Sequence, residues 1–326
     1  MNYPQARYDR SISAPFLAEF KPGGFAASLL DYARAQYPID LQFRKNPKNG
    51  AQHVTLYVGM TAVLNVLDKG AGGYRLEAHP KYKGIRKVGW ELAWEQPHAP
   101  DWWGEHWLAV EDYLERIIPE VMGGSLTSKE GPVQAAVSVF KGDAARVMLD
   151  REVIPSFIDD PTRKRVIRGF SDSLAASVAQ AGVPGTAPTK FGPKCDVLAI
   201  HHDGYLEAIE VKPQNVSSLA WVPAQATMYA KLLEYWIGVD STWAETIRRT
   251  FQQRQELGLV STDFSMPSRL EPRVVPAVAF QRTASGPYVD RMFKVQEHLV
   301  VDGVGDPGLR LYRASISGRL TQVDGP

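Results

Sequence analysis

Apolar and polar positions alternate along the first part of the chain in a way that predicts strands. Residues 51–80, AQHVTLYVGMTAVLNVLDKGAGGYRLEAHP, alternate about two glycine-containing breaks, which is the pattern of two or three antiparallel strands. A helical spacing precedes them at residues 24–37, and from Trp103 onward apolar side chains recur every three or four residues, as along one face of a helix. We therefore predict an N-terminal α+β region.

The second part of the chain alternates helix-like and strand-like stretches. Helical spacing predicts helices at residues 132–141, 143–158, 162–181, 223–237, 241–257 and 288–300. Strands are predicted at residues 195–213, where two strands share a turn, and at 273–282 and 309–320. Strands separated by helices are typical of an α/β domain with a mixed sheet. The glycine- and serine-containing segment 122–132 is the best linker candidate, which predicts an N-terminal region at 1–128 and a second domain at 129–326.

The composition allows a large folded core and excludes stabilisation by disulfide bonds or by a cysteine-rich zinc site. The chain has 326 residues, of which 44% are hydrophobic and 22% charged, as in ordinary globular proteins. Its single cysteine, Cys195, excludes an internal disulfide framework and a cysteine-rich zinc site, and it suits a reducing cytoplasm. No apolar run approaches the roughly 20 residues of a membrane helix, and the first residues lack the apolar centre of a signal peptide. We therefore expect a cytoplasmic protein with no membrane partner.

Local basic clusters, and not the net charge, are the only feature of the charge distribution that suggests an anionic partner. The formal net charge is +1, so the whole molecule has no field that would attract nucleic acid. Basic residues nevertheless cluster at 81–87 and 163–168, which fits an enzyme acting on a polyanion and equally fits solvated surface. Tryptophans are frequent in residues 88–122, and their helical spacing favours core packing over the stacking of nucleic-acid bases.

The candidate chemistry lies in the stretch CDVLAIHHDGYLEAIEVKP, residues 195–213. A two-residue turn would place Asp196 and Glu210 on opposite faces of the strand pair, because a one-residue slip reverses every side chain. A three-residue loop, which favours glycine at its third position, would place Asp196 directly across from Glu210, with Lys212 two residues further on the same face. The sequence leaves both registers open, and only the second explains the acids chemically.

Two carboxylates that face each other across neighbouring strands repel, since their Cβ atoms lie about 4.5–5.5 Å apart. A divalent cation relieves that repulsion, and oxygen ligands suit Mg²⁺ or Mn²⁺. Such a cation polarises a phosphoryl oxygen and lowers the pKa of a bound water, and Lys212 could orient that water or neutralise developing charge. Asp196, Glu210 and Lys212 therefore match a minimal metal-dependent phosphodiesterase site. The alternative is a half-exposed hairpin in which the lysine and the glutamate form an ion pair.

Asp196 followed by Glu210-Val211-Lys212 resembles the Asp…Glu-x-Lys motif of the PD-(D/E)xK nuclease superfamily. The resemblance covers residues 143–282, less than half of the chain. It implies a restriction-endonuclease-like α/β fold, with a mixed central sheet flanked by helices. It also implies that Asp196 and Glu210 bind the metal and that Lys212 assists the attacking water.

A second motif adds to this resemblance. Gln225-Ala226-Thr227-Met228-Tyr229 is similar to the Gln-x-x-x-Tyr motif of the RecB-like branch of the superfamily. Residues four apart share one face of a helix, so Gln225 and Tyr229 could both face the site. The resemblance implies that this pair supports the active site and contacts DNA.

The family's additional upstream acid has two candidates in this chain. Glu152 lies 44 residues before Asp196, beside the apolar face of its predicted helix, and Asp172 lies 24 residues before it. We favour Glu152 as the third metal ligand and catalytic residue, because helical geometry turns Asp172 away from the apolar stripe.

Other catalytic signatures do not occur in the sequence. It contains neither a Gly-x-Ser-x-Gly elbow nor a His-Glu-x-x-His motif, so the signatures of serine hydrolases and of zincin metalloproteases are missing. His201 and His202 have no His-x-x-x-His partner, and we interpret them as turn residues.

The sequence thus predicts a metal-dependent nuclease that hydrolyses nucleic-acid phosphodiester bonds, DNA in preference to RNA, with Mg²⁺ or Mn²⁺ as cofactor. Two alternatives stay open. One is a protein that kept this fold but lost catalysis, and that acts in nucleic-acid binding or as a scaffold. The other is a metal-independent enzyme with a pocket in the tryptophan-rich N-terminal region. That region is also where substrate, a second copy of the chain or another protein could bind.

Overall fold

The computed structural model describes residues 4–37, 39–83, 88–124, 130–214 and 217–323. The chain divides into two compact units. Unit 1 comprises Met1–Tyr8, Ala136–Arg248 and Ser261–Pro326, and unit 2 comprises Asp9–Ala135 and Arg249–Val260. The predicted boundary between residues 128 and 129 lies outside the described residues.

The described strands and helices alternate along much of the chain. In chain order the strands are β1 (Ala6–Arg7), β2 (Ile39–Lys45), β3 (Gln52–Val58), β4 (Thr61–Gly70), β5 (Gly73–Ala78), β6 (Arg146–Val153), β7 (Ser156–Phe157), β8 (Cys195–His201), β9 (Leu206–Lys212), β10 (Val274–Gln281), β11 (Arg310–Ala314) and β12 (Leu320–Gln322). The α-helices are α1 (Ala14–Ala18), α2 (Ala27–Ala35), α3 (Pro80–Lys83), α4 (Pro100–Gly124), α5 (Glu130–Val139), α6 (Asp160–Gln180), α7 (Val222–Val239), α8 (Trp243–Glu256) and α9 (Gly286–Val301). Among the described residues, no helix is both long enough and apolar enough to cross a membrane.

Unit 2 contains an antiparallel sheet in which sequential strands pair, in the order β2-β3-β4-β5. Strands β3, β4 and β5 are the three strands that the alternating pattern of residues 51–80 predicts, whereas β2 was not predicted. Gly70 and Gly72 adopt φ angles of +77° and +78° between β4 and β5, a conformation that glycine reaches without strain. The glycines therefore form a hairpin turn. Trp94 and Trp103 are 1% and 2% exposed within the unit's apolar core, so core packing is the correct interpretation for these two tryptophans.

Unit 1 contains a mixed sheet in the order β12-β11-β10-β9-β8-β6. Strand β10 is parallel to both β9 and β11, whereas β8 is antiparallel to β6 and β9. Helix α7 packs against β9 and β10. Helix α9 contributes Val289 and Met292 to an apolar cluster with Val278 and Phe280 of β10. This arrangement confirms the predicted α/β class with a mixed sheet.

Most of the predicted elements of unit 1 are confirmed, and one is wrong. Helices α5 to α9 match their predicted bounds within two residues at each end. The helix predicted at 143–158 is instead strand β6, followed by the short strand β7. Nearly every residue of β6 is buried, so it has no polar face, and such a run cannot be assigned to helix or strand from periodicity. The strand predicted at 309–320 is two strands, β11 and β12.

The basic cluster at 163–168 begins helix α6. Lys164 pairs with Asp160 at 2.6 Å, and both side chains are more than half exposed. Surface pairs of this kind contribute little to stability, and the arrangement matches the solvated helix face rather than a built binding site. The second cluster, 81–87, lies partly outside the described residues.

Strand β9 carries a third acid, Glu207, that points to the face opposite Glu210, because alternate side chains of a strand face opposite ways. Glu207 is fully buried. Its Oε2 lies 2.9 Å from Nε of Arg146, and its Oε1 accepts a 2.7 Å hydrogen bond from the Tyr312 hydroxyl. The Arg146 guanidinium also lies 4.3 Å from the centre of the Tyr312 ring. Burial raises the pKa of Glu207, and the charge of Arg146 opposes that shift. This network links β6, β9 and β11.

Substituting one member of the network should destabilise the protein strongly. In Arg146→Ala the buried Glu207 loses its countercharge, which should lower the free energy of unfolding by about 3–5 kcal/mol. The double variant Arg146→Met, Glu207→Leu should lose less, because the fully buried carboxylate is removed together with its partner. Asp143, which pairs with Arg146 at 2.6 Å, loses that partner in both variants and so does not affect the comparison. Urea denaturation measures both values. A loss below about 1 kcal/mol for Arg146→Ala would show that the pair is dispensable.

Candidate metal centre

The loop between β8 and β9 sets which side chains face each other. Val197 pairs with Ile209, and the His201 N–H donates to the Tyr205 carbonyl at 2.9 Å. The loop therefore contains three residues, 202–204, and it corresponds to the second of the two predicted registers.

Gly204 fixes this loop for two reasons. Its φ is +95°, in the region that favours glycine. A Cβ at this position would lie 2.5 Å from the Arg269 carbonyl oxygen, so any other residue would require the neighbouring chain to move. The three-residue loop places Asp196 across from Glu210 on one face of the sheet.

Asp196 and Glu210 form a buried acidic pair. They are 9% and 3% exposed, and a carboxylate oxygen of each lies within 4.8 Å of the other. The Val211 N–H donates to Asp196 Oδ2 at 2.9 Å, which orients that carboxylate. Burial and then the negative charge of Glu210 raise the pKa of Asp196 well above its usual range, while Lys212 opposes the shift. Keeping both groups ionised here therefore requires additional positive charge.

Lys212 provides part of that charge. Its Nζ lies 2.8 Å from Glu210 Oε1, and its side chain is 15% exposed. The second oxygen, Glu210 Oε2, is buried and has no hydrogen bond of standard geometry with any described residue, although the Tyr229 hydroxyl and the Asp196 carboxyl both interact with the Glu210 carboxyl. Buried acceptors are nearly always satisfied by a partner, so this oxygen beside Asp196 is available as a ligand. The pair of carboxylates and the open acceptor fit a hard divalent cation such as Mg²⁺ or Mn²⁺.

Helix α7 brings Tyr229 to the acidic pair. Tyr229 is almost fully buried, and burial, followed by the charges of Glu210 and Asp196, raises the pKa of its hydroxyl far above the usual range. The hydroxyl is therefore neutral and lies close enough to both carboxylates to be affected by their charges. This is the placement that the Gln-x-x-x-Tyr spacing predicts for the tyrosine.

Gln225, one turn earlier on α7, has a different contact. Its Nε2 donates to the Gly192 carbonyl at 2.7 Å. Gly192 belongs to the segment that leads into β8, four residues before Asp196. Gln225 therefore holds the segment that carries Asp196, while contact of Gln225 with DNA stays a prediction.

The two upstream acids are placed away from the pair. Glu152 lies on β6, in a strand rather than the predicted helix. Its backbone lies across from Asp196 in the register of β6 with β8, but its carboxylate is 2.6 Å from Nζ of Lys194. Asp172 is exposed on α6. Neither the Glu152 carboxylate nor that of Asp172 is grouped with those of Asp196 and Glu210.

Glu152 has an unusual backbone conformation. Its φ is +57°, which is uncommon for a residue with a side chain and costs on the order of 1–3 kcal/mol. Its partner Lys194 is half exposed and was missed from the sequence. A signal was present, because Lys194 precedes Asp196 by two residues and strand alternation puts both on one face.

The histidine turn is a separate group. His202 Nε2 lies 3.2 Å from Asp203 Oδ1, and both side chains are more than half exposed. His201 is buried and stacks on Tyr205, with ring centres 4.4 Å apart. A ligand atom from each of His201, His202 and Asp203 lies within 4.8 Å of the others. These residues form the hairpin turn, as interpreted from the sequence.

Comparison with known proteins gives no family for this chain. No protein-family model, no curated protein and no solved structure matches it. The resemblance to the PD-(D/E)xK nucleases therefore rests on the residues described above and stays an expectation.

The acidic pair predicts which substitutions alter metal binding. The wild-type protein should bind Mn²⁺ in isothermal titration calorimetry. Asp196→Asn should weaken that binding by more than about tenfold, because it removes a carboxylate ligand. Glu152→Gln should stay within about threefold of wild type, because the Glu152 carboxylate is held by Lys194. Equal weakening in the two variants would identify Glu152 as a third ligand after all.

His201 predicts a pH dependence of stability. Burial, and then the positive charge of His202, lower the pKa of His201 from 6.5 to about 4. The unfolded chain therefore binds a proton between these values that the folded chain does not, so the free energy of unfolding should fall as pH decreases through this window. Compared with wild type, His201→Gln should show about 1 kcal/mol less of that fall between pH 7.5 and 5.5. Parallel stability curves from urea denaturation would contradict this.

Proposed function

We propose that unit 1 is a metal-dependent nuclease with a restriction-endonuclease-like fold, and that it hydrolyses phosphodiester bonds of nucleic acid, DNA in preference to RNA. One observation carries the proposal. Asp196, Glu210 and Lys212 converge from two adjacent strands in a buried place, where one carboxylate oxygen has no described hydrogen-bond partner. That combination is expensive for a structural hairpin and suits a cation site.

The roles of the residues follow from their positions. Asp196 and Glu210 would hold Mg²⁺ or Mn²⁺, and the bound cation would polarise a phosphoryl oxygen and lower the pKa of a water. Lys212 forms an ion pair with Glu210, and from that position its ammonium group would orient the attacking water and offset negative charge on phosphorus. Tyr229 forms a neutral, buried wall beside the carboxylates.

The surroundings of the pair also support a polyanionic substrate. Lys194 is half exposed and directly precedes β8, two residues before Asp196. Its ion pair with Glu152 has an exposed lysine, and such pairs exchange readily for other anions because they contribute little free energy. A phosphate of the substrate could therefore take the place of the Glu152 carboxylate at Lys194.

The placement of Glu152 and Asp172 outside the acidic pair favours one other function. A nuclease-fold protein that binds nucleic acid without cleaving it, or that acts as a scaffold, would tolerate an incomplete ligand set. Against this, Mg²⁺ is commonly held by one or two carboxylates together with waters and substrate phosphates. Two acids therefore suffice for the enzyme.

A cleavage assay tests the proposal. Plasmid, linear duplex and single-stranded DNA are incubated with Mg²⁺ or Mn²⁺, and cleavage is expected with the wild-type protein. Asp196→Ala and Lys212→Ala should each reduce the rate by more than about 100-fold, because each removes charge stabilisation from the reacting phosphate. Lys164→Ala, at an exposed lysine of α6 in the same unit, is the matched control and should retain activity.

Two results would contradict the proposed nuclease activity. Cleavage that persists in both the Asp196→Ala and Lys212→Ala variants would place the activity elsewhere. A wild-type protein that binds Mn²⁺ and DNA without cleaving any of the three substrates would support the binding or scaffold function instead.

A further inference from the structure

Unit 1 contains a pocket of about 730 Å³ away from the carboxylate pair. It is lined by Arg273 just before β10, by the start of β11, by the second half of α9 and by the end of β12. Its lining residue Leu311 pairs with Val278 of β10, and Val278 pairs with Glu210 of β9, so β10 separates β11 from the strand that carries Glu210. None of the lining residues belongs to β8 or β9. The pocket is therefore a site distinct from Asp196 and Glu210.

Two guanidinium groups line this pocket. Arg273 directly precedes β10 and Arg310 begins β11. Neither arginine forms an ion pair with any acid that the structure describes. Arg310 has a long hydrogen bond to Gln322 Oε1, 3.4 Å, and Arg273 lies 5.9 Å from the centre of the Tyr205 ring. The charge of Arg310 acts on Glu207 and that of Arg273 on Glu234, but with no described ion pair to break, both guanidiniums could bind an anion.

The loop before β11 is shaped around Arg273. A Cβ at Gly308 would lie 2.8 Å from Nη2 of Arg273, so glycine leaves the space that the guanidinium fills. The loop itself is held by Asp306, whose Oδ1 accepts from the Gly308 N–H at 2.6 Å and whose carbonyl accepts from the Leu309 N–H at 3.2 Å. Arg273 thus lies against a fixed backbone at the wall of the pocket.

The rest of the lining is largely apolar. Phe293, Leu309 and Val323 are partly buried and pack against the apolar cluster of unit 1. Glu297 is the acid among the lining residues, so two guanidiniums face one carboxylate. An apolar wall with a few charged groups, in a volume of several hundred cubic ångströms, is typical of small-molecule sites. Guanidiniums match the geometry of phosphate oxygens, and an aromatic ring such as Phe293 offers a surface for stacking a base.

We propose that this pocket binds a small organic anion with an aromatic body, of the nucleoside monophosphate class. Arg273 and Arg310 bind the phosphate, Phe293 and Leu309 pack against the base, and Glu297 accepts from an amino group. The assignment does not depend on the carboxylate pair being a nuclease site.

Calorimetry of the full chain with AMP tests the proposal, with EDTA present so that metal does not contribute. Adenosine and inorganic phosphate are titrated separately, and each should bind at least about tenfold more weakly than AMP, because each lacks one half of the recognised structure. The double variant Arg273→Ala, Arg310→Ala should weaken AMP binding by more than about tenfold. Arg319→Ala, an exposed arginine of unit 1 outside the pocket, should leave it unchanged, and so should Asp196→Asn.

Further outcomes decide against the pocket. Failure of the folded wild-type protein to bind AMP at millimolar concentration would overturn the proposal. Loss of AMP binding in Asp196→Asn with retention in the double arginine variant would place the nucleotide at the carboxylates instead. Inorganic phosphate binding as tightly as AMP would show that the apolar wall takes no part. The variant Arg273→Lys, Arg310→Lys keeps both positive charges but loses the planar guanidinium groups that bind phosphate through two hydrogen bonds, so it should bind AMP with intermediate affinity. This result would separate a loss of phosphate recognition from a loss of folding.

Discussion

The register of the β8–β9 hairpin is the constraint on which the candidate site depends. Because side chains alternate along a strand, a shift of one residue would carry Asp196 to the other face and leave Glu210 without its neighbour. The shift is prevented at Gly204, whose positive φ and close approach to the Arg269 carbonyl suit glycine alone. A backbone position with no chemistry of its own therefore determines whether the acids form a pair.

Strand β9 carries two buried acids, Glu207 and Glu210, whose surroundings differ in how their negative charge is balanced. Glu207 and Glu210 are both buried on β9 and lie on opposite faces. Glu207 has an arginine and a tyrosine hydroxyl as partners, so its charge is balanced within the fold. Glu210 has a lysine at one oxygen and a second buried acid, Asp196, across from it, so two carboxylates share one ammonium group. The imbalance at Glu210 leaves an interaction that a cation could complete.

Local patterns predicted the amphipathic elements of unit 1 well and failed where burial removed the pattern. Helices such as α6 and α8 have a polar face, so their period is visible in the sequence. Strand β6 is buried on both faces, and its assignment is decided by pairing with β8 instead of by its own residues.

By itself, the sequence determined the residue types and their spacing: two acids and a lysine on adjacent strands, followed by a helix with Gln225 and Tyr229 on one face. These features are local, since each depends on a turn, an alternation or a helical repeat within a few residues. Only the tertiary structure decided the hairpin register, the ion pair of Glu152 with Lys194, the contact of Gln225 with Gly192 and the open oxygen of Glu210. The register depends on an approach to residue 269, and the ion pair and the Gln225 contact join residues 33 to 42 positions apart. The open oxygen depends on which side chains surround Glu210 in space, and short-range patterns in the sequence do not record that.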